Sequence, residues 1–304
     1  MSVRLSHEVA AVRVPATTAN MGPGFDSFGM AFRYYDEVEV RPVTGPTRVE
    51  IEGVGAGAVP TDDDNLVVRA LRDGLEAVGA PQAGFEMRCV NRIPHGGGLG
   101  SSASAVVAGL MLARGLISDP EALDDDLVFA RATEFEGHPD NVAPAVFGGA
   151  TVAWTQADGA PRMAPMPVDA ELPVSLLVPP ETTRLSTEEA RKVLPDSVPR
   201  ADALFNTSRA AVLMLALAGR PDLLMAGTED RLHQEYRRRV LPASMAVMDS
   251  LRAQGYPAVI SGAGPTVLVL ADMAPQMRLA LERHGWTVLS PGIDLAGARL
   301  LPTD

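Results

Sequence analysis

Apolar and polar residues alternate over residues 8–15, 36–41, 48–52, 85–91 and 149–155, and each run predicts a β-strand. Shorter runs of the same kind fall at 172–178, 256–261, 266–271, 286–290 and 298–301. Elsewhere the apolar positions recur at helical spacing: 66–78, 101–116, 121–136, 201–218, 221–226 and 275–284. A capping-box start at Ser186 and Thr187 opens one more short helix through Arg191. Residues 15–26 carry Pro15, Gly22, Pro23 and Gly24 and predict a polar loop too broken for a helix. Residues 156–170 are Pro-rich and weakly patterned, predicting a surface excursion and a domain boundary near 160–180. We place that boundary so that residues 1–165 form an N-terminal domain and 166–304 a C-terminal one. The strand–turn–strand–helix–strand pattern at the end, with the strand near 172 and the helix near 205, predicts a split-βαβ, ferredoxin-like second domain. The class is α+β.

One stretch obeys neither period. Pro94-His95-Gly96-Gly97-Gly98-Leu99-Gly100-Ser101-Ser102-Ala103-Ser104 sets four glycines in five positions, where each costs backbone entropy and supplies no side chain to a core. Such a loop can turn its amides inward, and it runs into a helix whose mouth holds Ser101, Ser102 and Ser104. Free N–H groups and the positive end of a helix dipole make an anion site. A polyphosphate is the most economical ligand. No Lys follows the glycines, which excludes a P-loop of the G-x-x-x-x-G-K-[ST] type. Gly98-Leu99-Gly100-Ser101-Ser102-Ala103 does match a dinucleotide fingerprint, G-x-G-x-x-A. The acid that should cap a second strand some 20 residues on is missing, since Asp119 and Glu121 fall in a turn. A serine-capped glycine turn with no ligand is the plainest alternative.

Composition narrows the partners. A chain of 304 residues with 46% hydrophobic and 21% charged residues is long enough for a large core and two domains. Its net charge of −12 argues against nucleic acid or an anionic membrane surface as the main partner, while leaving local phosphate binding open. The single cysteine, Cys89, reads as a small core residue and cannot form an internal disulfide. No apolar run approaches a membrane span and no signal peptide is evident, so a soluble, cytoplasmic protein is expected.

Further polar groups are candidates for chemistry. Asn20 and Asp26 sit in the broken loop, where turn chemistry alone would also explain them. Asp62-Asp63-Asp64-Asn65 reads as a helix cap rather than a metal cluster. Gly137 and Pro139 end the helix at Glu136 and bring Glu136, Asp140 and Asn141 into one tight turn. A carboxylate beside a polyphosphate suits Mg²⁺, which takes one or two carboxylates together with phosphate oxygens and water. His138 in that turn reads as structural. Arg191 offers the planar fork that carboxylates favour, although an exposed Arg on a capped helix explains it equally. Arg237, Arg238 and Arg239 read first as a solvated face.

Pro-x-x-x-Gly-Leu-Gly-Ser-Ser-Ala, as it stands at residues 94–103, resembles the phosphate-loop signature of the GHMP small-molecule kinases. Two further motifs of that family occur in order, Pro-Ala-Thr-x-Ala-Asn-x-Gly-x-Gly-Phe-Asp at 15–26 and Ser-Gly-Ala-Gly-Pro-Thr at 261–266. Glu-Gly-x-x-Asp-Asn-Val-Ala-Pro at 136–144 and Ser-Thr-x-x-Ala-Arg at 186–191 are similar to the homoserine kinase branch. The resemblance spans nearly the whole chain. It implies a two-domain GHMP kinase fold, with a ribosomal S5 domain 2-like N-terminal domain and a ferredoxin-like C-terminal domain. It implies an ATP-dependent phosphorylation of L-homoserine to O-phospho-L-homoserine, in threonine biosynthesis. By the same resemblance Pro94, Gly96, Gly97, Gly98, Leu99, Gly100, Ser101, Ser102, Ala103 and Ser104 hold ATP, and Asn65 helps with the adenosine. Ser102 and Glu136 hold Mg²⁺. Asn20, Asp26, Arg191, Arg237 and Gly262 form the amino acid site. Thr187 lies near the transferring phosphate, and Asn141 fills the slot of the catalytic Asp of mevalonate kinases. An amide cannot deprotonate a hydroxyl, so the implied mechanism lacks a dedicated side-chain base. A homodimer is the family-based expectation. The alternatives are another GHMP kinase acting on mevalonate or a similar alcohol, an NAD-dependent oxidoreductase, and a ligand sensor or nucleic-acid module on the same fold.

Overall fold

A computed structural model of the chain describes residues 3–180 and 187–303, with Thr187 and Glu188 described in their backbone alone. The first sheet is built from β1 (Ala10–Asn20), β2 (Gly24–Val43), β3 (Arg48–Gly53), β4 (Gly84–Asn91), β5 (Ala150–Thr155) and β6 (Pro161–Met166). The second holds β7 (Ser175–Val178), β8 (Ala258–Ile260), β9 (Val267–Val269) and β10 (Thr287–Leu289), while β11 (Arg299–Leu301) returns to the first. The helices in chain order are α1 (Leu66–Ala77), α2 (Ser101–Leu116), α3 (Asp125–Glu136), α4 (Val142–Phe147) and α5 (Thr187–Lys192). They continue with α6 (Arg200–Leu217), α7 (Leu224–Gly227), α8 (Gln234–Arg237), α9 (Pro242–Ala253) and α10 (Pro275–Arg283).

The seven-stranded first sheet runs β11-β1-β2-β4-β3, with β5 joined to β2 and β6 to β5. Only β3 and β4 pair in parallel, as a strand–helix–strand unit through α1 requires. Apolar on every side, α2 is buried under this sheet among α1, α3 and β1. The second sheet is antiparallel in the order β10-β7-β9-β8, which is the ferredoxin-like arrangement. An apolar cluster including Phe28, Met30, Leu99, Leu176, Leu213, Val259 and Leu268 contains residues of both sheets and packs the two halves together. Cys89 is buried in β4, and burial pushes its thiol up to about 12, so it packs as a small apolar side chain.

Three expectations need correcting. Residues 15–26 are mostly strand: Ala16 to Ala19 pair with Phe32 to Gly29, past a bulge at Pro15/Ala16, leaving a short turn before β2. Residues 156–170 include β6, which pairs with β5 from Thr155↔Pro161 to Ala150↔Met166. Pro161 and Pro165 are tolerated there because β6 is an edge strand. The last strand, β11, pairs with β1 and so leaves the ferredoxin-like unit with four strands. Among the described residues no helix is long and apolar enough to cross a membrane.

The exit of β4 toward the glycine loop is held by Asp36, which accepts the amides of Arg92 at 2.6 Å and Ile93 at 2.9 Å. Burial raises its pKa to about 6, against the two amides that lower it. The folded protein therefore keeps this proton where the unfolded chain has released it, and the site's contribution to stability falls as pH rises from about 4 to about 6. Asp36→Asn keeps an acceptor and removes the charge. Across that window its unfolding free energy should gain on wild type by of order 2 kcal/mol in urea titrations.

Candidate active site

The glycine loop leaves β4 and enters α2 with Gly96, Gly98 and Gly100 at φ of 64°, 78° and 67°. Its last four carbonyls are engaged. Gly97 O accepts the Thr266 amide at 3.0 Å, Gly98 O the Ser261 hydroxyl at 2.6 Å, Leu99 O the Thr17 amide at 3.0 Å and Gly100 O the Ser104 amide at 2.8 Å. Among the described residues, none of the amides from Gly96 to Ala103 has a protein acceptor. The N-cap of α2 is Gly100 rather than a serine, with no side-chain cap. Unpaired amides at the N-terminus of a 16-residue helix form an anion site. They line a cavity of about 130 Å³.

The opposite wall comes from the turn between β1 and β2 and from the second half of the chain. Asn20, Met21 and Asp26 have φ of 68°, 50° and 55°, a rare conformation for residues with a Cβ. Asn20 clasps the turn: its Oδ1 accepts the Asp26 amide at 2.9 Å and its Nδ2 donates to Gly262 O at 2.8 Å. One Nδ2 hydrogen remains for a ligand. Arg191, on α5, donates from Nη1 and Nη2 to the two oxygens of Asp26 at 2.9 and 2.8 Å. That pairing outweighs burial and raises the Arg191 pKa. Arg237, at the end of α8, is buried, and its Nε and Nη1 donate to Ala190 O and Gly262 O, both at 3.2 Å. Asn20, Asp26, Arg191, Arg237 and Gly262 all line the cavity.

The third wall is the end of α3 and the turn beyond it. Ser102 Oγ donates to Glu136 Oε1 at 2.5 Å. Burial raises the Glu136 pKa, more than the Ser102 hydrogen bond and the charge of His138 lower it. A buried carboxylate touching a hydroxyl beside an anion site is a donor set that a hard cation would complete. Asn141 Oδ1 accepts the Thr17 hydroxyl at 2.9 Å, and its amide donates to Asp140. His138 Nδ1 lies 2.6 Å from Asp140 Oδ1. Burial lowers the His138 pKa, but the hydrogen bond and charge of Asp140, with the charge of Glu136, leave it raised.

Several residues expected in the nucleotide site do not present side chains to the cavity. Leu99 and Ala103 are buried in apolar clusters and offer only their amides. Ser104 donates its hydroxyl to Pro15 O at 2.8 Å. Asn65 caps α1 through the Val67 amide and donates to Pro60 O, so both ends of its amide hold structure. It still borders a mostly apolar slot of about 280 Å³, between β2–β4 and α2, that opens beside Ser101 and Ser102. Pro94 borders a separate cavity behind the loop. The Thr187 side chain lies outside the described residues.

Residues 65–149 match the family described as GHMP kinases N terminal domain, and residues 212–285 match GHMP kinases C terminal. The chain belongs to the GHMP kinases, a family of ATP-dependent kinases, which removes the oxidoreductase and sensor alternatives. It is 47% identical to homoserine kinase from Clavibacter michiganensis subsp. michiganensis, over 96% of this chain and 94% of that protein. It is 48% identical to homoserine kinase from Mycolicibacterium smegmatis, over 94% of this chain and 93% of that one. The crystal structure of homoserine kinase from Cytophaga hutchinsonii matches with a TM-score of 0.81 at 25% identity, covering 97% and 98% of the two chains.

The sequence singles out neither Thr17, Phe25 nor His233, and His138 reads there as structural, without its contact to Asp140. Nothing local flags His233, whose partners are more than 200 residues away in one direction.

A Cβ at Gly100 would lie 2.0 Å from Thr17 Oγ1, at a positive φ. Gly100→Ala should therefore lower the melting temperature and weaken binding of a non-hydrolysable ATP analogue by roughly 10-fold or more, as strain and a lost anion contact together imply. Calorimetry of both quantities checks it.

Proposed function

We propose that the protein transfers the terminal phosphoryl group of ATP to the hydroxyl of L-homoserine, giving O-phospho-L-homoserine and ADP. One observation carries the amino acid end of this reading. A carboxylate and a guanidinium, Asp26 and Arg191, are paired on one wall of a cavity whose far wall is the row of unpaired amides. The ammonium of an α-amino acid matches Asp26, and its carboxylate matches Arg191 and the remaining Nη2 of Arg237. Relatives of nearly full length carrying the name homoserine kinase support the same substrate.

The amides of residues 96–103 would hold the phosphates, with the base in the apolar slot beside Asn65. Ser102 and Glu136 fit Mg²⁺, because two oxygens already meet there and burial of the carboxylate is relieved by a cation. Mg²⁺, when bound, would neutralise charge on the transferring phosphoryl group. No group of three or more His, Cys, Asp or Glu that could hold a metal ion gathers among the described residues, so the cation would complete its shell with phosphate oxygens and water. Asn141, fixed by Thr17, would orient the acceptor hydroxyl, and Thr187 would stand near the transferring phosphate. His138 is turned to Asp140 through Nδ1, and phosphoryl transfer through a loose transition state asks little of a general base. Catalysis then rests on in-line positioning and electrostatic stabilisation, without a dedicated base.

A division at 165/166 falls at the last residue of β6, before β7 opens the second sheet, with β11 crossing back to the first. A homodimer would find exposed Leu204 and Leu215 on α6. A cytoplasmic site of action accords with a biosynthetic reaction on ATP.

Release of ADP against L-homoserine, L-threonine, L-serine, mevalonate, galactose and shikimate tests the substrate. Turnover with homoserine above all others is expected, and turnover only with mevalonate or a sugar overturns the reading. Glu136→Gln should lower kcat by roughly 100-fold or more, the scale of losing one preorganised electrostatic group, with the fold intact. Arg191→Ala should raise the KM for homoserine while leaving that for ATP unchanged, and steady-state kinetics with each substrate varied separates the two.

A further inference from the structure

Arg237 is only 1% exposed, so its charge and direction depend on what surrounds it. Burial first, and then the charge of Arg191, bring its pKa down to about 10, which still leaves it protonated near neutrality. Besides the carbonyls of Ala190 and Gly262, its one side-chain acceptor among the described residues is His233, whose Nδ1 lies 2.9 Å from Nη1. The other ring nitrogen, Nε2, is 2.8 Å from Gly22 O.

These two contacts fix the state of the ring. A carbonyl can only accept, so Nε2 carries the hydrogen; a guanidinium can only donate, so Nδ1 is bare. His233 is a neutral imidazole. Burial, and the charge of Arg237, favour that form, while Asp230 opposes them with an oxygen 3.7 Å from Nε2; the net pKa is lowered. The backbone of His233 is pinned as well. Asp230 accepts the amides of Leu232, His233 and Gln234, and is itself held by Asn206.

The same ring touches the other half of the amino acid site. Gly22 lies in the turn that carries Asp26, and Phe25 of that turn stacks on His233 with centroids 5.0 Å apart. Phe25 also faces the guanidinium carbons of Arg237 at 5.6 Å and Arg191 at 5.9 Å. One imidazole thus joins the turn bearing the carboxylate to the buried guanidinium. An apolar side chain would fill the space but leave Gly22 O without its donor and Arg237 Nη1 with Gly262 O alone.

We propose that His233 is a positioning residue for the amino acid substrate: it sets the spacing and direction of Arg237 relative to Asp26 without touching the substrate. This rests on the amino acid reading above. It makes the distance between ammonium and carboxylate, rather than either charge alone, the selected property.

The experiment begins with wild type, since lack of turnover on homoserine would sink the substrate reading before His233 is at issue. Given turnover, His233→Leu should raise the KM for homoserine by roughly 10- to 100-fold, the scale of losing a hydrogen bond to a charged group, with the KM for ATP unchanged. His233→Gln offers an amide N–H and carbonyl in place of the two ring nitrogens and should recover most of that loss. In an Arg237→Ala background, the effect of His233→Leu should shrink to what the Gly22 contact alone supplies. A rise in both KM values together, equal damage by Leu and Gln, or additive damage in the Arg237→Ala background would overturn the proposal. Should the variants fail to fold, ¹⁵N resonances of wild-type His233 near neutral pH decide: the neutral Nε2–H tautomer is required, and an imidazolium or an Nδ1–H tautomer overturns it.

Discussion

The carbonyl oxygens of Gly97, Gly98, Leu99 and Gly100 are all taken inside the protein, and that allocation turns the amides of the same loop toward the cavity. A peptide unit has its donor and acceptor on opposite sides, so fixing one set directs the other. Glycine alone would leave the loop free to point either way. Thr17 comes from β1, and Ser261 and Thr266 come from the turn between β8 and β9. The anion site is therefore made by the packing of both sheets. Gly98 shows how tight that packing is, since a Cβ there would lie 2.4 Å from Ser261 O.

Charge at the facing wall follows from the same closeness. Asp26 and Arg191 satisfy each other, which spares the protein an isolated charge in a confined site. A zwitterion can enter by exchange, its ammonium taking Asp26 and its carboxylate taking Arg191, with no net charge left unpaired. A neutral alcohol would have to break the pair and return nothing. A molecule with a single charge would strand one partner. On the proposed reading, the self-paired wall thereby discriminates before any chemistry begins. The net charge of −12 has little bearing on this, because the site supplies its own cations and amides.

Much of this was legible where the signal is local. Four glycines in five positions have few uses, and α1, α2, α3, α6 and α10 lie within a few residues of their predicted spans because helical periodicity is read over neighbouring residues. The failures share a cause. Ala16 to Ala19 are strand only because residues 29–32 lie beside them and β6 only because it folds back on β5, while β11 was legible as a strand but not as the partner of β1. Pairing partners of that kind leave no mark on the segment itself. The site divides in the same way: the phosphate loop and Glu136 stand out by composition and helix ending. That Asn20 is a clasp, Ser104 a brace and His233 a link depends on atoms from distant parts of the chain.

The strained turn at residues 20–26 gives those long-range links a common purpose. Left-handed φ at Asn20, Met21 and Asp26 costs of order 1–3 kcal/mol each, least for Asn and Asp, and persists only if the surroundings over-determine it. Here they do: Gly262 holds Asn20, Asn20 holds the Asp26 amide, and His233 holds Gly22. A relaxed hairpin would need none of these bonds and could rotate the Asp26 carboxylate out of the cavity. Three of the contacts that maintain the strain come from the second half of the chain or run through residues that touch it. The geometry of the amino acid site is thus set by the same contact between halves that directs the phosphate loop, so the two ends of the reaction are positioned by one interface.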